Sequence, residues 1–138
     1  MNKKKNKWKI WPPIEKLFNM SGQSYMLEEG NYAYSNMILY ATKNAKVIPS
    51  KALDLLPHTF KLIDALSPRF ILCLGKDNVA NKFRNNIIDI KEIITDKMWV
   101  GKYNQSIVIG LDHPSFGAWN KHYEEYSQAL REIIEQNK

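Results

Sequence analysis

Residues 106–119 read SIVIGLDHPSFGAW. The first six are apolar, partly β-branched and uncharged up to Asp112. That predicts a short buried strand, because the run is too short for a helix that stands alone. His113, Pro114 and Ser115 then fall on the loop at the strand's carboxyl end. In open α/β sheets that edge gathers ligands, since loops converge there and helix amino termini turn their positive ends toward it. Working outward, residues 69–75, RFILCLG, repeat the pattern. An apolar strand ends in Gly75, which permits a tight turn into a following helix. The two strands read as neighbours in one sheet.

A chain of 138 residues is long enough for one domain with its own core. Residues 1–7 are set apart as a basic, flexible tail and residues 8–138 as the domain. Twenty Lys and Arg against fourteen Asp and Glu leave a net charge of +6, a balance compatible with a nucleic-acid partner. The single cysteine, Cys73, excludes an intramolecular disulfide and suits a reducing cytosol, so a cytoplasmic location is expected. No apolar run approaches the ~20 residues that span a bilayer. No hydrophobic signal region follows the lysines, so no membrane association is expected. His58, His113 and His122 are far apart and there is no Cys-x-x-Cys, which gives no metal site and calls for no cofactor.

The remaining elements follow from periodicity. Trp8-Lys9-Ile10-Trp11 alternates like a short strand that Pro12-Pro13 would stop. Ile14, Leu17 and Phe18 predict two helical turns over residues 14–20, and a short helix over 25–29 ends at Gly30. Residues 33–40 read as a strand with Asn36 inside it, either a structural hydrogen-bonder or a ligand-reader. Ser50 is a reasonable N-cap for a helix to Leu66, whose face is Leu53, Leu56, Phe60, Ile63 and Leu66, interrupted at Pro57. Residues 76–84 read as a helix with Val79, Ala80 and Phe83 inward. Residues 85–98 fit a strand or a helical turn equally, and residues 99–102 read as a turn. Tyr123, Tyr126, Leu130, Ile133 and Ile134 predict a closing amphipathic helix over 119–136. Strands alternating with helices imply a mostly parallel sheet covered on both faces.

These residues carry a resemblance. Ser67-Pro-Arg-Phe-Ile-Leu-Cys-Leu-Gly75, a helix, a strand ending in Leu111-Asp-His-Pro-Ser115 and a closing helix together resemble the carboxyl-terminal half of the uracil-DNA glycosylase superfamily. Tyr34-Ser35-Asn36-Met37-Ile38 is similar to the family's asparagine-bearing strand, and residues 18–23, FNMSGQ, to the loop before it. The resemblance implies a three-layer α/β/α fold around a short four-stranded sheet, with the first strand altered or missing. It implies that the Asn36 amide reads the Watson–Crick edge of a flipped uracil, by a donor and an acceptor side by side. It implies that His113 donates to a base carbonyl oxygen as charge develops there, the one catalytic role carried over. Pro114 and Ser115 would lie against the DNA backbone, Ser115 offering a hydroxyl and a backbone N–H to a phosphate. Phe116 or Trp119 would serve as the apolar wedge that fills the gap left by a flipped base, or both would pack the last helix. Lys43, Lys46 and Lys51 follow the Asn36 strand, as phosphate contacts or as a solvated loop.

One departure stands against this pattern. No glycine- and proline-containing motif with a water-positioning polar or acidic residue precedes Phe18. Three functions follow: a degenerate glycosylase-like protein that binds DNA or a nucleobase without efficient excision; a protein-interaction module for a replication or repair partner; and an active minimal uracil-DNA glycosylase. The missing motif favours the first.

Overall fold

The computed structural model describes residues 10–35, 54, 56–75 and 78–138. They fall into two compact units, one of residues 10–33 with 112–138 and one of residues 34–111.

In the second unit four strands form one mixed sheet: β1 (Phe70–Leu74), β2 (Ile88–Ile94), β3 (Met98–Tyr103) and β4 (Ser106–Leu111), in the order β1-β4-β3-β2. β1 and β4 are parallel neighbours as read from the sequence, with Phe70 opposite Ile107 and Leu74 opposite Leu111. The other two pairings are antiparallel, which corrects the expectation of a mostly parallel sheet. The cause is the length of the connections. A parallel pair needs a crossover of roughly a dozen residues, and here Asn104-Gln105 alone joins β3 to β4. Thr95-Asp96-Lys97 joins β2 to β3. Asn104 (φ 51°) and Asp96 (φ 57°) take the left-handed conformation these tight turns require. Glu92 fixes the second turn by accepting the Asp96 N–H at 2.6 Å.

Residues 99–102, expected as a turn, lie inside β3. Gly101 pairs opposite Val108 in the strand, and its neighbours leave no room for a side chain: an added Cβ would lie 2.5 Å from Ile87 Cγ2. The ambiguous residues 88–94 resolve as the edge strand β2. It is irregular in register and exposes Ile88, Ile90 and Ile93.

One face of the sheet carries a core of Cys73, Phe83, Ile87 and Val108, with Phe60, Ile63, Ile71, Trp99 and Tyr103 packed against it. Helix α2 (Leu56–Leu66) supplies Phe60 and Ile63, with Pro57 in its first turn, where a missing N–H costs nothing. Leu66, placed on the inward face by periodicity, is 54% exposed. Helix α3 (Asn78–Arg84) buries Ala80 and Phe83 as expected.

The first unit is a pair of helices. Helix α1 (Trp11–Met20) starts at Trp11 with prolines in its first turn, so Pro12-Pro13 open a helix instead of stopping a strand. Trp8 and Lys9 lie outside the described residues, as do the 1–7 tail, Ser50 and Leu53. A 3₁₀ turn (Ser24–Leu27) follows, and residues 33–35 have no regular structure. Helix α4 (Tyr123–Gln136) buries Tyr126, Leu130, Ile133 and Ile134 while α1 buries Ile14, Leu17 and Phe18. Arg131 of α4 donates to the carbonyls of Met20 (2.9 Å) and Ser21 (3.0 Å), satisfying acceptors that the end of α1 leaves open.

Candidate functional site: the loop after the last strand

The chain leaves β4 at Leu111 and enters a loop that α4 holds from two directions. Asp112 is buried, and a buried carboxylate must be bonded. The Tyr126 hydroxyl donates to its Oδ1 at 2.8 Å. The Trp119 indole N–H donates to the Asp112 main-chain carbonyl, also at 2.8 Å. Trp119 is itself fully buried, edge-on to Tyr123 and Tyr126 at centroid distances of 6.3 and 6.0 Å. The His122 ring stacks on Tyr126 at 5.4 Å. Burial first, and then the bond to Asp112 and its charge, push the Tyr126 hydroxyl well above its usual 10.0, so it stays a donor.

On this base stands a tight turn. Pro114 (φ −77°, ψ 4°) leads into a 3₁₀ turn (Ser115–Gly117) in which Phe116 adopts φ 55°, ψ 31°. Left-handed backbone at a bulky L residue costs about 1–2 kcal/mol. Gly117 follows at φ 69°, and a Cβ there would lie 2.6 Å from Asn120 Nδ2. The result is that Phe116 projects its whole side chain into solvent. His113 is also exposed, and its Nδ1 accepts the Ser115 N–H at 3.1 Å. With Nδ1 an acceptor, the neutral ring carries its proton on Nε2 and presents it as a donor.

This geometry sorts the residues named from the sequence. His113 and Phe116 sit together on one exposed turn. Trp119 is core and no wedge, because its indole is spent on Asp112. Pro114 is buried, so it sets the path of the loop instead of lying against a backbone. Ser115 is half-buried and its N–H is taken by His113, which leaves its hydroxyl for a phosphate while that bond holds. Asn36, Lys43, Lys46 and Lys51 lie outside the described residues.

The buried Asp112–Tyr126 pair was not visible as a unit in the sequence. Tyr126 fits the apolar stripe of α4, and only its hydroxyl, which needs a partner when buried, hints at more. Among the described residues no group of three or more His, Cys, Asp or Glu could hold a metal ion. Among the same residues no helix is long and apolar enough to cross a membrane. An open cleft of about 500 Å³, lined by Pro12, Glu15, Lys16, Asn19, Ser24 and Leu27, involves none of the loop residues.

No family model, curated protein or solved structure matches this chain. The likeness to the uracil-DNA glycosylase superfamily therefore rests on the residues alone.

Proposed function

We propose that the protein is a degenerate member of the uracil-DNA glycosylase superfamily, with that family's three-layer α/β/α arrangement, that binds DNA or a nucleobase through the 113–116 loop without efficient base excision. The observation that carries this is Phe116, a fully exposed aromatic ring held outward on a strained turn beside the His113 donor. Strain of this kind persists where surrounding structure over-determines it, and it clusters at ligand-clamping sites. An exposed apolar side chain on a rigid turn is the form of a wedge that unstacks bases, and an Nε2–H donor next to it suits a base carbonyl. The resemblance to the family adds Asn36 as the reader of the base edge, and Ser115 and the lysines at 43, 46 and 51 as phosphate contacts.

The Lys and Arg excess lies in residues 1–9 and 34–111, whereas residues 10–33 and 112–138 hold more Asp and Glu than Lys and Arg. Electrostatic attraction to DNA thus comes from segments other than those that carry the loop. A second reading has support of its own: edge strand β2, with Ile88 at 61% exposure, suits a protein partner such as a replication or repair enzyme.

Binding to single- and double-stranded uracil-containing DNA at two salt concentrations, with release of free uracil measured on the same oligonucleotides, tests the proposal. Salt-dependent binding that weakens in Phe116→Ala and Asn36→Ala, without release, is expected. Release that disappears in His113→Ala and Asn36→Ala makes the protein an active glycosylase and overturns the proposal. Absence of both signals points to the protein-partner reading.

A further inference from the structure

We propose that Arg84, seated on the indole of Trp99, is a phosphate-binding side chain that anchors the backbone of a nucleic acid on the second unit. An inventory of guanidinium donors singles it out. The chain has three arginines, Arg69, Arg84 and Arg131. Arg131 commits its Nε and Nη2 to the carbonyls of Ser21 and Met20. Arg69 is also engaged. Arg84 is exposed, and among the described residues its N–H groups have no hydrogen-bond or ion-pair partner. What holds it is a ring: the guanidinium carbon lies 5.3 Å from the centroid of Trp99. That contact positions the side chain without using a donor, because the attraction is to the π face. A planar fork of five donors, held in place with none taken, is the form in which arginine grips two oxygens of a phosphate.

The seat is built into the sheet. β4 is an apolar strand with a glycine inside it, Gly110, which pairs opposite Trp99. A Cβ at Gly110 would collide with Cε2, Nε1 and Cζ2 of the indole, so the ring lies directly over the strand backbone. Glycine in a strand interior marks a close approach, and here the approach is that of the platform beneath Arg84. Trp99 also packs against the core of Cys73, Phe83, Ile87 and Val108, which anchors the platform. On its other side the register places Glu92 opposite Trp99. Glu92 accepts the Asp96 N–H at 2.6 Å in the β2–β3 turn and forms no ion pair with Arg84, so the cation lacks an internal counter-ion there. All of these residues belong to the unit of residues 34–111, where Lys and Arg outnumber Asp and Glu. Its net charge draws an anion in, and Arg84 offers that anion unpaired donors. That the phosphate belongs to DNA rests on the reading given under Proposed function, and no residue of the 113–116 loop takes part in this site.

The test has two readouts, both on the full chain. Three arginines give three side-chain Nε–H signals in ¹⁵N NMR, with Arg84→Gln to assign the one of interest and Arg131 as an internal reference, because its Nε–H is already bonded. Titration with a DNA duplex is expected to move the Arg84 signal and leave that of Arg131 in place. In parallel, affinity for the duplex is measured between about 50 and 200 mM salt, where each neutralised phosphate adds about 0.9 to the slope of log affinity against log salt. Over that range the wild type is expected to lose roughly 3.5-fold more affinity than Arg84→Gln. Arg84→Lys keeps the charge and should keep the slope, at lower affinity for want of the fork. Lys82→Gln removes the same charge two positions away on α3, where side chains do not share a face, and should also keep the slope. An Arg84 signal that stays put while the duplex binds, or equal flattening by Lys82→Gln, overturns the anchor and leaves the loop reading standing. An Arg84 signal moved as far by inorganic phosphate or poly-glutamate at the same anion concentration overturns the assignment to nucleic acid. Binding that needs Arg84 yet is unchanged in Phe116→Ala and Asn36→Ala supports the anchor and defeats the loop reading. Absence of any binding to DNA overturns both.

Discussion

Replacing Tyr126 by Phe removes one oxygen from the base of the loop and leaves every ring contact in place. The lost hydroxyl is the 2.8 Å donor to Asp112 Oδ1, between two buried residues. A hydrogen bond to a charged group contributes about 1.5–3 kcal/mol, and the carboxylate left behind is less well satisfied in the same buried place. The expected loss is therefore about 2 kcal/mol at neutral pH, read as a lower urea midpoint with an unchanged slope. The alkaline limb gives a second, independent reading. The folded hydroxyl titrates above 10.0, so the stability it contributes is fully present below pH 10.0 and is lost as pH rises toward the folded value. In wild type the unfolded tyrosine ionises first and draws the equilibrium toward the unfolded chain. The Tyr126→Phe variant has nothing to ionise at this position, so the difference between the two proteins narrows above that pH. A neutral-pH loss under about 0.5 kcal/mol, or alkaline limbs that stay parallel, refutes the argument that this bond holds Asp112.

Phe116→Gly relieves about 1–2 kcal/mol of left-handed strain and forfeits no burial, against a larger unfolded-state entropy for glycine. A net gain of up to about 1 kcal/mol in urea unfolding, together with weaker DNA binding, is expected, and a loss of stability would show that the ring packs in solution. Gly110→Ala places a Cβ in the space the Trp99 indole fills, so the indole must leave its seat on β4 and its 5.3 Å approach to the Arg84 guanidinium. Overpacking of this kind costs about 1–3 kcal/mol, measured by denaturant unfolding against the wild type. The Cys73 thiol is buried and pushed up to about 12 by that burial, so it should resist alkylation in the folded protein at neutral pH and react on addition of denaturant.

The sequence marked β1 and β4 clearly as neighbours because both are uncharged apolar runs closed by Gly75 or Asp112, and the structure pairs them in parallel. It misplaced the strands between them for an equally physical reason. Trp99-Val100-Gly101 looks like a turn only if Gly101 is read as a breaker, and nothing local shows that Ile87 occupies the space beside it. The run from Ile87 to Ile94 has no clean two-residue alternation because β2 is an edge strand with register shifts, exposed along most of its length. Pro12-Pro13 stop a strand or start a helix with equal propriety, and it is burial of Ile14, Leu17 and Phe18 that decides for the helix. At the loop, residue types gave the candidates but not their directions. Phe116 and Trp119 are three residues apart and chemically alike, yet one is wholly in solvent and the other wholly inside. Only the backbone sign at Phe116 and the indole bond to Asp112 separate them.

That separation also limits what the loop can do. A turn that carries one exposed ring, one outward imidazole donor and one hydroxyl can hold a base or a backbone. It brings no carboxylate of its own to a water, because Asp112, the one carboxylate on the loop, is buried and accepts from Tyr126. A general base must reach the proton it removes, directly or through one water. A polar or acidic group that positions water for hydrolysis at this loop would therefore come from another part of the chain. Binding without efficient excision is proposed for this reason: the turn carries groups able to contact a base or a phosphate, and its own carboxylate is spent on Tyr126.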